Sequence, residues 1–195
     1  MSLRAALLAL ISAGPLTGYD VVKHFRSSVG HVWHAPDSQI YPELRKMQAE
    51  GLLEATEVPW GSKGATKTQY AISPAGREAL AQWQATPLQY APERDQAHLL
   101  AAYFEWGTPE TARERLREHI AAYEAAKASA LKQAQDIRER TSPTLQRRLA
   151  GYDPQDWDRI AAFKLFAYEG KIARAEAEIA WARRGLELLD ELDGD

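Results

Sequence analysis

Two stretches in the C-terminal half repeat apolar side chains at alternating intervals of four and three, and this repeat constrains the fold more than any other feature. In the last stretch Ala161, Leu165, Tyr168, Ile172, Ala175, Ile179, Ala182, Leu186 and Leu189 follow without a break. In the stretch before it Leu116, Ile120, Tyr123, Lys127, Ala130, Ala134 and Ile137 keep the same rhythm, interrupted only by Lys127. A repeat averaging about 3.5 residues lays one stripe along an α-helix and suits knobs-into-holes packing against a second such helix. Thr108-Pro109 opens the first helix as cap and first residue, and Ser142-Pro143 ends it. The second begins near Asp153-Pro154 or Asp156 and runs to about Leu192. At about 1.5 Å per residue each is roughly 50 Å long, more than a compact domain needs. Seams of this kind close an antiparallel pair within one subunit or join two copies. The lengths favour a homodimer, with the stripe from Leu165 to Leu189 as its dimerisation surface. Which seam lies within a subunit and which lies between subunits stays open.

The N-terminal part is built from shorter pieces. Residues 3–13 are apolar on every side (Leu3, Ala6, Leu7, Leu10, Ile11), as a buried helix is, and Gly14-Pro15 stops it. Thr17 is placed to cap the next helix, with Asp20 three residues on and Leu16 and Val21 spaced as a hydrophobic staple. That helix is expected to run through Phe25 and Val29 to Gly30. A third lies between Ala35-Pro36-Asp37-Ser38 and Gly51, with Ile40, Leu44 and Met47 as its buried stripe. Proline removes a backbone donor and crowds the preceding turn. The third helix is therefore expected to begin close to Pro42, capped by Asp37 or Ser38. Its opposite face carries Ser38, Pro42, Arg45 and Ala49, flanked by Tyr41 and Lys46.

Residues 52–60 and 66–72 read as two strands around a Gly61-Ser62-Lys63-Gly64 turn. Ser73-Pro74 opens a fourth helix through Leu80 and Trp83. Beyond the 86–92 linker a further helix through Leu99, Leu100, Tyr103 and Phe104 ends near Gly107. The expected fold is mainly α: a winged helix-turn-helix of three helices and a two-stranded wing over residues 1–85, then an all-helical dimerisation domain over 93–195.

Several classes of function are disfavoured. The chain has no cysteine, which removes disulfides and thiolate metal sites and fits the cytoplasm. The apolar run from Ala5 to Ile11 is far shorter than the roughly 20 residues of a membrane span, and its flanks are not those of a signal peptide. There is no glycine-rich phosphate loop, paired metal motif or nucleophile elbow, so neither an enzyme nor a cofactor is expected. His31 and His34 stand three apart, with His24 upstream, but lack the cysteines or paired carboxylates of a zinc site. No metal is assigned to them, and Trp33 between them reads as a gap filler. The six tryptophans are scattered and read as packing residues rather than as an aromatic effector pocket. The net charge is −3, yet the first 85 residues hold eight Lys/Arg against seven Asp/Glu, so the acidity lies further on. A near-neutral domain still binds DNA when its cations share one face.

The element order is that of a winged helix-turn-helix. Burying Ile40, Leu44 and Met47 leaves Ser38, Gln39, Tyr41, Pro42 and Arg45, with Lys46 beside them, to face a major groove. Lys63 and Lys67 on the hairpin are placed for the flanking backbone or minor groove. Leu16-Thr17-Gly18-Tyr19-Asp20, Gln39-Ile40-Tyr41-Pro42-Glu43-Leu44, Glu50-Gly51-Leu52 and Tyr70-Ala71-Ile72-Ser73-Pro74-Ala75-Gly76-Arg77 together resemble the PadR family of transcriptional regulators over about residues 3–85. The long-helix half resembles, by its architecture, the Vir-type region of the larger members. The resemblance implies a homodimer that binds a pseudo-palindromic operator in double-stranded DNA, often a repressor released by a small molecule; whether this chain takes an effector, a small aromatic one for instance, stays open. It also implies that Tyr19, Ser38, Gln39, Tyr41 and Arg45 make the DNA contacts. The rival reading is a winged-helix module that holds a protein partner and does not bind DNA.

Overall fold

The computed structural model describes the chain except residues 1, 29, 31, 33, 34, 62, 63, 91, 93 and 195. Lys63, His31, His34 and Trp33 therefore lie outside the described residues. The chain forms two compact units, one of residues 1–89 with 143–157 and one of residues 90–142 with 158–195.

In the first unit, α1 (Ser2–Ile11), α2 (Gly18–Ser27) and α3 (Asp37–Ala49) surround a core of Leu7, Ile11, Val21, Phe25, Ile40, Leu44 and Met47. The 4,3 stripe of α3 is fully enclosed, with Ile40, Leu44 and Met47 each 0% exposed. Thr17 caps α2 as its position suggests, its Oγ1 accepting from the Asp20 N–H at 3.3 Å and donating to the Asp20 carboxylate at 2.6 Å. At the far end of α3, Gly51 takes φ +75°, the Leu52 N–H reaches the Met47 carbonyl and the Gly51 N–H reaches that of Gln48, both at 2.9 Å. This paired closure needs a left-handed residue, which glycine supplies without strain.

Strands β2 (Leu53–Trp60) and β3 (Ala65–Ile72) form the hairpin, in register from Leu53 opposite Ile72 to Trp60 opposite Ala65. A third short strand, β1 (Leu16–Thr17), pairs on the other side of β3 with Leu16 opposite Tyr70. The sheet thus has three strands in the order β1-β3-β2, one more than the two-stranded wing expected. A two-residue strand carries no alternation to read. Its existence rests on pairing with a segment more than fifty positions away.

The start of α3 also differs from expectation. Neither Asp37 nor Ser38 caps it. Pro36 occupies the cap position without a side-chain bond, Asp37 is the first helical residue, and Pro42 lies within the helix. The Asp37 carboxylate instead takes an ion pair from Arg26, at a helix end that favours negative charge. Helix α4 (Pro74–Ala85) follows the predicted Ser73 cap, whose Oγ accepts from the Gly76 N–H at 3.0 Å and donates to the Gly51 carbonyl at 2.7 Å.

The second unit contains α5 (Gln96–Ala101), a single 3-10 turn at Phe104–Trp106, α6 (Pro109–Arg138) and α8 (Trp157–Asp193). Between α6 and α8 the chain returns to the first unit as α7 (Pro143–Leu149), where only a helix break was expected. At about 1.5 Å per residue α6 and α8 are roughly 45 and 55 Å long. They run antiparallel, joined by Lys127–Glu176 at 2.7 Å, Arg183–Glu124 at 3.1 Å and Arg113–Asp190 at 2.9 Å. Lys127, the interruption in the α6 seam, is thereby matched to a carboxylate. Gly185 leaves room for Leu116, whose side chain lies 3.0 Å from where a Cβ at 185 would stand.

The seam offered above as a dimer surface is largely used inside the chain. Tyr168, Ala175, Ile179 and Ala182 are buried, and Leu165, Ile172, Leu186 and Leu189 half-buried, by residues of their own chain. Periodicity states that a stripe must be covered. It does not name the covering helix.

Candidate nucleic-acid interface

The outer side of α3 is open to solvent along its length: Ser38, Gln39, Tyr41, Pro42, Arg45 and Lys46 are all exposed. Pro42 has no N–H to give the Ser38 carbonyl, so that acceptor has no partner four residues on in the helix ladder.

The charges of α3 are sorted between its two sides. Glu43 binds Arg4 of α1 at 2.8 Å, Glu50 binds the same guanidinium at 2.5 Å, and Asp37 binds Arg26 of α2. Among the described residues, Arg45 and Lys46 form no ion pair. Three carboxylates are therefore neutralised by arginines from neighbouring helices while two cations point outward. This sorting explains how a domain with almost no net charge presents a positive face.

Aromatic groups frame that face. Tyr41, 41% exposed, rests against α2 at Gly18, where a Cβ would stand 2.9 Å from the Tyr41 ring. Tyr19 projects from the first turn of α2 with 61% exposure. Behind them burial raises the Tyr70 phenol above its ordinary 10.0, with the positive charge of Arg45 pulling the other way. On β3, Lys67 lies over the Trp60 ring and 5.5 Å from the centre of the Tyr19 ring. Glu57, on the opposite face of the hairpin, donates nothing to this surface. Its carboxylate is held below the usual range by hydrogen bonds from Thr66 and Thr68.

Tyr19, Ser38, Gln39, Tyr41, Pro42, Arg45, Lys46 and Lys67 all belong to this one unit. Trp60 was missed among them. Scattered tryptophans suggest packing, yet Trp60 is 56% exposed at the end of β2. The signal that locates it is strand register, which sets it diagonally across from Lys67.

The second unit holds a cavity of about 250 Å³ lined by Leu100, Phe104, Arg115, Leu116, His119 and Trp181. His98 stacks on Trp181 at 4.0 Å between ring centres, and His119 Nε2 lies 3.2 Å from the Glu178 carboxylate. Along the outside of α8 a second 3,4 stripe is exposed: Phe163, Phe166, Gly170, Ala173, Ala177 and Ala180. Among the described residues no group of three metal-binding side chains is close enough to hold an ion, and no helix is long and apolar enough to cross a membrane.

Three helices, a hairpin and an open third-helix face define a winged helix-turn-helix domain. Residues 7–82 match the transcriptional regulator PadR-like family. The chain is 37% identical over 81 residues to the negative transcriptional regulator PadR of Bacillus subtilis, covering 42% of this chain and 44% of that protein. It is 38% identical over 88 residues to a probable transcriptional regulator of Mycobacterium tuberculosis, covering 45% and 46%. The matched segment thus spans less than half the length of either relative. Across nearly the whole chain the fold is similar to that of Bacillus subtilis PadR solved with operator DNA, at TM-score 0.75, 22% identity and coverage of 97% and 99%. The same protein solved with p-coumaric acid gives TM-score 0.67 at 22% identity, covering 96% and 95%.

Proposed function

We propose that the protein is a cytoplasmic transcriptional regulator that binds double-stranded operator DNA as a homodimer, represses through that binding, and catalyses no reaction. One observation carries this reading: in the segment that matches the PadR-like family, the carboxylates Glu43 and Glu50 are paired with Arg4 of α1, while Ser38, Gln39, Tyr41, Arg45 and Lys46 of α3 stay exposed. Polar and cationic side chains on an exposed helix suit base edges and phosphates of a major groove. Residues 1–85 serve for DNA and the helical part of 93–195 for pairing, through the stripe of Phe163 and Phe166 outside α8. A small aromatic effector fits the cavity beside Trp181, where an indole and a phenyl ring offer stacking surfaces. The p-coumaric acid complex of the Bacillus subtilis protein supports an effector of that class.

The test is binding to duplex DNA from the gene's own upstream region. Arg45→Ala is expected to weaken binding about five- to 150-fold, as losing one good base contact does at about 1–3 kcal/mol. Circular dichroism should stay unchanged, because Arg45 is exposed. Full affinity in both Arg45→Ala and Tyr41→Ala would remove α3 as the reading helix.

A further inference from the structure

Trp60 closes β2 opposite Ala65, and Lys67 lies two residues further along β3 on the same face of the hairpin. The Lys67 ammonium sits over the Trp60 ring and also over the Tyr19 ring, 5.5 Å from the centre of the latter. Both rings are mostly exposed, at 56% and 61%, so neither is there to fill the core. Tyr19 stands at the start of α2, next to the Gly18 against which Tyr41 rests. Pairing of Thr17 with Gln69 holds that start against β3. One cation of the wing is thus tied to the helix end that also seats a residue of the reading face.

A lysine ammonium is a point charge on a flexible stem, and much of that freedom is lost when it engages a phosphate. Held over two π faces, Lys67 has given up part of it before DNA arrives. The cation–π attraction at an exposed site is weak enough for a phosphate to share the ammonium. Building on the DNA-binding reading above, we infer that Trp60 is a positioning residue for duplex DNA: together with Tyr19 it fixes Lys67 on the wing so that its charge meets one backbone phosphate. Trp60 acts through Lys67 and reads no base.

The experiment measures binding of the upstream duplex over a range of salt concentrations for wild type, Lys67→Ala, Trp60→Ala, Trp60→Phe and the Trp60→Ala/Lys67→Ala double variant. Lys67→Ala should shrink the log–log salt slope by about 0.9, the loss of one phosphate contact. Trp60→Ala should lower affinity about threefold and move the slope in the same direction. Trp60→Phe should restore both, and the double variant should bind no worse than Lys67→Ala. Melting temperatures should agree within about 2 °C, as expected for exposed positions. Wild-type affinity and slope in Trp60→Ala, or losses that multiply in the double variant, overturn this inference alone. A wild-type chain silent on every duplex at low salt overturns the DNA-binding reading and this inference together.

Discussion

Individual residues on the first unit do two jobs at once, and the second job is visible only in their neighbours. Arg4 joins α1 to α3, and it also neutralises Glu43 and Glu50 so that the cations of α3 dominate its outer side. Gly18 begins α2, and its missing Cβ is where the Tyr41 ring sits. Gly18→Ala is therefore expected to displace Tyr41 and reduce operator affinity severalfold. Folding stability should hold or rise by up to about 1 kcal/mol, because alanine is the better helix former. Paired binding and thermal-melt measurements check this. A variant with unaltered affinity would show that the ring's seat is irrelevant to reading. The exposed polar residues of α3 were legible from periodicity alone, since locating the buried stripe locates its opposite. Trp60 was not, because composition cannot say which tryptophan lies beside a lysine on a sheet face.

At the scale of elements, α7 is the least expected piece. It is short, begins with a proline that reads as a helix break, and packs into the first unit, where Arg147 donates to the carbonyls of Leu10, Gly14 and Pro15 and Arg148 to that of Ala9. Carbonyls at a helix end lack intrahelical partners and carry partial negative charge, so two guanidiniums there complete α1. Arg147→Ala should cost about 1–2 kcal/mol, less than a fully buried charged hydrogen-bond set would.

The same substitution has a spectroscopic signature. Burial first, and the Arg147 charge second, hold the His24 imidazole below its ordinary 6.5. Removing the arginine should raise the His24 titration midpoint seen by NMR. A histidine with a lowered folded-state pKa is bound by more protons in the unfolded chain. Stability is thus full above 6.5 and falls as the pH drops through 6.5 toward the folded value. Arg147→Ala should flatten that acid-side slope, and an unchanged slope would mean that Arg147 does not act on His24.

For the whole molecule, the α6–α8 pair covers one stripe of α8 and leaves another uncovered. Phe163 and Phe166, 69% and 75% exposed, begin that second stripe, and small residues continue it. Small side chains let a helix of another copy approach closely. Phe166→Glu is expected to convert a dimer to a monomer in sedimentation equilibrium without unfolding it, because the inner seam stays closed. On the homodimer reading proposed above, operator binding should then weaken sharply, because two α3 helices roughly 34 Å apart would have to act together on a symmetric site. A Phe166→Glu protein that remains dimeric would place the interface elsewhere.

Local order was written in the chain itself. Thr17, Ser73 and Thr108 stand as caps where helices start, Gly51 stands where one must reverse, and the 4,3 spacing of Ile40, Leu44 and Met47 marks a buried stripe, because these signals act within a few residues of backbone. Other features depended on which distant surfaces meet: a third strand at Leu16–Thr17, the folding of α7 onto the first unit, the use of the Tyr168–Ala182 seam within the chain, and a lysine held over Trp60 and Tyr19. Those choices come from packing and charge pairing between segments far apart in sequence, and no spacing along a single helix or strand encodes them.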